Sequence, residues 1–196
     1  LLREDRPRGY TKMEFITASG TTWTQTGKTD LKRIRVTCYG GGAGGGSGTA
    51  GGGGGGIGFV VLEASAVTTN VTVTIGAGGS VGNAGGTTSF GSYISATGGS
   101  TGTQFNAGAG GTATGSGVYI LGGQGGKPNA NLPFGGQYPT PNHSGPNNYQ
   151  TANSHGGGLG GSRYGSNASG IQGGGGGGSG NGTQGCCIIE EIYGLV

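Results

Sequence analysis

The sequence predicts an all-β protein in which a small β-sandwich framework carries packed polyglycine-II helices and long loops. Three observations lead there. Glycine supplies 56 of the 196 residues and comes in uninterrupted runs, such as Gly51 to Gly56 and Gly173 to Gly178. Between the runs lie segments with period-two alternation, which flexible Gly/Ser tethers do not carry. No window has a helical period, and glycine at this density would break one. Ordering a glycine backbone costs roughly 1–2 kcal/mol or more per residue. A chain without Cβ atoms can offset that cost by letting neighbouring backbones approach and hydrogen-bond laterally, as glycine permits at the crowded axis of collagen.

Leu31 to Tyr39 is the clearest strand. Ile34, Val36 and Cys38 are expected to face one way, and Arg33, Arg35, Thr37 and Tyr39 the other. Asn70 to Gly76 repeats the pattern, with Val71, Val73 and Ile75 inward and Thr72 and Thr74 outward. Ile57 to Ala64 and Cys186 to Tyr193 are apolar enough to read as buried strands, and Met13 to Thr17, Ser89 to Ala96 and Val118 to Leu121 are weaker candidates. A core of Phe15, Trp23, Ile34, Val36, Phe59, Val61, Val73 and Ile189 suffices for one modest sandwich. The organisation expected is a linker over 1–12, the end of something longer, and one glycine-rich domain over 13–196. Its strand framework is placed at 13–76 and 186–196, with glycine-rich loops over 77–185.

The charge distribution narrows the chemistry. Eight of the ten Lys and Arg lie at or before Arg35, and between Glu63 and Glu190 the only ionic side chains are Lys127 and Arg163. Carboxylate acid/base catalysis, paired-carboxylate glycoside cleavage and calcium coordination all need interior carboxylates. Nucleic-acid binding needs clustered cations beside aromatics, which the basic segment here does not offer. The tripeptide Gly27-Lys28-Thr29 lacks the upstream glycine of a phosphate loop and precedes a strand, not a helix. The expectations are therefore a non-enzyme with no cofactor, no metal and no nucleic-acid partner. Cys38, Cys186 and Cys187 give an odd count without zinc spacing. They read as buried free thiols, the alternative being a bridge from Cys38 to Cys186 or Cys187.

Glycine thins out in one place, Lys127 to His155, which holds five of the six prolines, six asparagines, Phe134, Tyr138 and Tyr149. Prolines restrict the backbone, aromatics bind at low entropic cost, and amides adapt, so the segment reads as a recognition surface. The two histidines, His143 and His155, lie within it without carboxylates or cysteines to complete a metal site, and read as hydrogen-bonding or stacking groups.

These features together resemble the glycine-rich C-terminal domain of bacteriophage tail fibres and tail-fibre adhesins. The matching pieces are Trp23 ahead of a strand, RIRVTCYGGG at 33–42, GGGGGGIGFVV at 51–61, VTVTIGAGG at 71–79, GGTTSFG at 85–91, SATGG at 95–99, and the last glycine run before a closing apolar strand at 187–193. No piece is specific alone; their order over most of the chain is. The resemblance implies a virion protein exposed outside the cell during attachment, built of a β framework, a stack of polyglycine-II helices and long loops at a distal tip. That tip binds a bacterial surface glycan, lipopolysaccharide or an outer-membrane protein. Mapped onto this sequence, the receptor-binding residues are Phe134, Tyr138, His143, Tyr149, His155 and Tyr164, with Phe105 and Tyr119 from neighbouring loops. It also implies a homotrimer with other fibre chains. The alternative reading is an ice-binding or structural glycine-rich scaffold, although ice binding by polyglycine helices calls for a regular three-residue repeat and 40–56 is irregular.

Overall fold

The computed structural model describes residues 9–46, 50–103, 106–115, 118–120, 173, 175–176 and 180–194. Among them are ten strands: β1 (Tyr10–Ile16), β2 (Thr21–Thr24), β3 (Leu31–Tyr39), β4 (Ile57–Glu63), β5 (Asn70–Thr74), β6 (Thr88–Phe90), β7 (Ile94–Ala96), β8 (Ala113–Gly115), β9 (Val118–Ile120) and β10 (Cys186–Tyr193). The only helical element described is a single 3-10 turn at Ala64–Ala66. The strands form two antiparallel five-stranded sheets, ordered β1-β10-β3-β4-β9 and β2-β5-β6-β7-β8. They pack face to face as the predicted small β-sandwich, around a core that includes Trp23, Ile34, Val36, Val71, Val73, Phe90, Ile94 and Ile189.

β3 and β5 alternate as read. Ile34, Val36, Cys38, Val71 and Val73 are buried, while Arg33, Arg35, Thr72 and Thr74 are exposed. Leu31 has the parity of the outward arginines and yet is buried, because the register with β10 slips between Ile192 and Tyr193 and sets Leu31 opposite Tyr193.

Three expected core residues are not in the core. Phe15 and Val61 are 65% and 52% exposed, and Phe59 is half-buried. In β4, register sets Val60 opposite Val36 and Leu62 opposite Ile34, so the odd positions fall on the outer face: Phe59 opposite Thr37 and Val61 opposite Arg35. In β1 the inward position is Ile16, opposite Cys187, which turns Phe15 outward opposite Ile188. A one-residue change of phase exchanges the faces, and apolarity alone does not fix the phase. Ser89 to Ala96 is also not one strand. Gly91, at φ 50°, opens a turn that folds it into the β6–β7 hairpin.

Among the described residues, the glycine-rich segments lie together at one end of the sandwich. Segments 40–46, 75–80 and 97–103 follow β3, β5 and β7, residues 173, 175 and 176 bond among them, and 50–56, 83–87, 106–112 and 180–185 lead into β4, β6, β8 and β10. Their backbone hydrogen bonds are not ladders. In the first segment the Gly41 N–H donates to Gly86 O, the Gly42 N–H to Thr183 O and the Ala43 N–H to Gly53 O, at 2.8–2.9 Å. After three residues the cycle repeats: Gly44 donates to Asn83, Gly45 to Gly180 and Gly46 to Ala50. The carbonyls of Gly41, Gly42 and Ala43 accept from Gly99, Gly79 and Gly176, in three further segments.

A repeat of three with lateral bonds in every direction is the signature of left-handed, three-residue-per-turn backbone packed as polyglycine II. Segment 40–46 is its axis, with six segments around it; 106–112 forms an outer layer on 50–56 and 97–103. The spacing excludes side chains. A Cβ on Gly41 would overlap the Ala77 carbonyl, and one on Gly55 the Gly40 carbonyl.

Candidate functional site

At about 3.1 Å per residue the seven residues 40–46 carry the slab roughly 20 Å away from the sandwich. Its far end is where the outgoing segments turn back. Two of the turns are described in detail. In one, the Asn83 N–H donates to Ser80 O and the Asn83 side-chain amide to Ser80 Oγ, both at 2.8 Å. The same turn is fastened to its neighbours through Gly82 N–H to Gly45 O at 2.8 Å and Val81 N–H to Asn181 Oδ1 at 3.0 Å. In the other, the Thr103 N–H donates to Asn106 O at 2.8 Å, and the Asn106 N–H to Thr103 Oγ1 at 3.2 Å. Ser80, Val81, Asn83, Thr103, Asn106 and Asn181 are exposed.

The electrostatic contrast between the two ends is complete among the described residues. Every charged side chain, from Lys12 to Glu63 and again at Glu190 and Glu191, belongs to the sandwich, and none of the described residues from 64 to 185 is charged. Among the described residues the far end therefore offers hydroxyls, amides and one large apolar side chain, Val81, 41% exposed, on a backbone held by lateral hydrogen bonds. Such a surface suits a polar uncharged ligand, since no strongly hydrated ion has to be stripped of water on contact.

Of the residues expected at the tip, Phe134, Tyr138, His143, Tyr149, His155 and Tyr164 lie outside the described residues, as does Phe105. Thr103 and Asn106, which are described, bond to each other at the far end. Tyr119 is not at that end. It belongs to β9, paired with Gly58 in the first sheet. The residues that sequence reasoning passed over, Ser80, Asn83, Thr103 and Asn106, had a legible signal: short Ser, Asn and Thr groups that break glycine runs where a turn is needed.

One cluster in the sandwich has the ingredients of a catalytic centre. The Glu191 carboxylate is fully buried, accepts from Trp23 Nε1 at 2.8 Å and Tyr193 Oη at 2.6 Å, and pairs with the Lys28 ammonium. That ammonium also lies 4.6 Å from the Trp23 ring centroid. Burial by itself pushes Glu191 up, but the bonds from Lys28, Tyr193 and Trp23 outweigh it and hold the carboxyl below its ordinary range. Burial, and then the bond to the carboxylate, push the Tyr193 phenol well above its own. An acid/base catalyst needs a lone pair or proton aimed at substrate. Both carboxylate oxygens here are engaged by protein donors, which makes Glu191 a tether between the β2–β3 connection and the C-terminal strand. Among the described residues no three His, Cys, Asp or Glu side chains gather as a metal site.

No family model matches this chain, and no curated protein matches it.

Proposed function

We propose that this chain is the receptor-binding tip of a bacteriophage tail fibre, a non-enzymatic module that attaches the virion to a glycan, lipopolysaccharide or outer-membrane protein of a bacterial host. The observation that carries the reading is the polarity of the molecule. A charged sandwich at one end supports a laterally hydrogen-bonded slab that ends in uncharged hydroxyl and amide turns. A stiff backbone lowers the entropy lost when a ligand docks, so modest polar and aromatic groups suffice for specific attachment. Glycans fit best, because Asn, Ser and Thr groups match sugar hydroxyls and aromatic faces cover sugar C–H patches. In this reading the recognition surface combines the far-end turns with Phe134, Tyr138, His143, Tyr149, His155 and Tyr164.

The test is binding of the fluorescently labelled chain to a panel of bacterial strains and to a glycan array. Retention on some strains and not others, lowered at least about tenfold by Tyr138→Ala or Tyr149→Ala with the unfolding midpoint unchanged, is the expected result. Uniform absence of binding, or full binding by both variants, overturns it.

A further inference from the structure

We propose that Cys38 and Cys187 form an oxidation site, closing under a two-electron oxidant such as a peroxide into a cross-strand disulfide that welds β3 to the C-terminal strand β10. The two residues are direct register partners, and both are fully buried thiols. Their sulfurs are 3.9 Å apart. A disulfide bond needs about 2.05 Å, so each sulfur has roughly 1 Å to travel, within reach of side-chain rotation. Cys186 is excluded as the partner by the period of the strand, for it falls on the opposite face, opposite Tyr39. The three cysteines are buried free thiols, as the sequence leads one to expect, and of the two partners open to a bridge from Cys38 the register leaves Cys187.

The resting state is the dithiol. Its hydrogen bond with Cys38, and then burial, hold the Cys187 thiol far above its ordinary range, so little nucleophilic thiolate exists while the sheet is closed. On local opening, one thiolate attacks an oxygen of hydrogen peroxide. The S–O bond forms, the O–O bond breaks, and the departing hydroxide takes a proton to become water. The second thiol then attacks the sulfenic sulfur. The S–S bond forms, the S–O bond breaks, and a second water leaves with the remaining proton. Two thiols and one peroxide thus give one disulfide and two waters, and a dithiol reductant reverses the change.

The consequence is mechanical. The bridged positions are 149 residues apart in sequence, so the cross-link closes about three-quarters of the chain into one loop and removes a large part of the unfolded state's freedom. Because β10 lies between β1 and β3, the bond also pins the strand that holds the first sheet together.

The experiment treats the folded chain with a small excess of hydrogen peroxide, then unfolds it and counts thiols with a chromogenic disulfide reagent. The count is expected to fall from the three free thiols to one, with loss of the mass of two hydrogen atoms and a digest that joins the Cys38 peptide to the Cys187 peptide. The thermal midpoint should rise by at least about 5 °C and return on reduction. Cys186→Ala should behave as the wild type, and Cys187→Ala should show neither bridge nor rise. Three surviving thiols under conditions that oxidise the urea-unfolded chain, a bond mapped to Cys186 or between two chains, or a bridge with no rise in midpoint would each overturn the proposal.

Discussion

Gly55 separates the two things glycine can provide. Its added Cβ would run into the Gly40 carbonyl, whose own N–H is bonded to Gly56 O, so the obstacle is backbone that cannot swing aside. Gly82 stands in the far-end turn at φ +78° with open space where a Cβ would go. Gly55→Ala is therefore expected to cost more than about 3 kcal/mol in urea unfolding, as overpacking against a fixed wall does. Gly82→Ala should cost only about 1–2 kcal/mol, the penalty of a left-handed backbone. The reverse order would mean that the slab is not close-packed. Glu191 sets the pH behaviour at the same scale. Its folded pKa is lowered, so its contribution is present above the ordinary value of 4.5 and is lost as pH falls through the folded value. Tyr193 is shifted upward, so its contribution is present below 10.0 and is lost as pH rises through the folded value. Unfolding followed against pH should show a plateau with a limb on either side. Glu191→Gln should lower the plateau by about 3 kcal/mol, by leaving the Lys28 charge without its partner, and should flatten the acid limb.

Strand phase makes the next prediction. Ile189, buried and central in β10, is expected to cost about 2–5 kcal/mol as Ile189→Ala, whereas Val61→Ala on the outer face of β4 should stay within about 0.5 kcal/mol. Chemical denaturation of the two variants decides whether β4 has the phase described. β3 and β5 were legible in the sequence because alternating Ile or Val and polar residues leave only one way for a half-solvated strand to lie. β2 and β8 were not. Thr21–Thr24 has a single large apolar residue, Trp23, and Ala113–Gly115 has none, so both owe their strand geometry to pairing partners far along the chain. Glu191 escaped notice for a related reason. An acidic residue in an apolar strand reads as outward-facing, and its burial depends on Trp23, Lys28 and Tyr193 meeting there in three dimensions.

The whole molecule joins two kinds of order, a hydrophobic sandwich and a hydrogen-bonded slab whose interior has almost no side chains. If they are one cooperative unit, the amides of Gly41, Gly42 and Ala43 should exchange with deuterium as slowly as those of Ile34 and Val36. Exchange within seconds at those three amides would show the slab to be a loose appendage and would remove the rigid support on which the receptor-binding proposal stands. That glycine runs would order side by side was readable from their placement between strands. Which segment would be the axis was not, because glycines in different runs are chemically identical and only the connections of the sandwich distinguish them. The three-residue cycle of donors along 40–46 also limits how such a column can evolve. Adding one or two residues to an arm would aim every later amide at the wrong neighbour, whereas three added on an outgoing arm and three on its return would preserve every pairing and lengthen the reach by roughly 9 Å. Length variation among descendants of this chain is thus expected in matched triplets, leaving the terminal turns free to change sequence without disturbing the shaft beneath them.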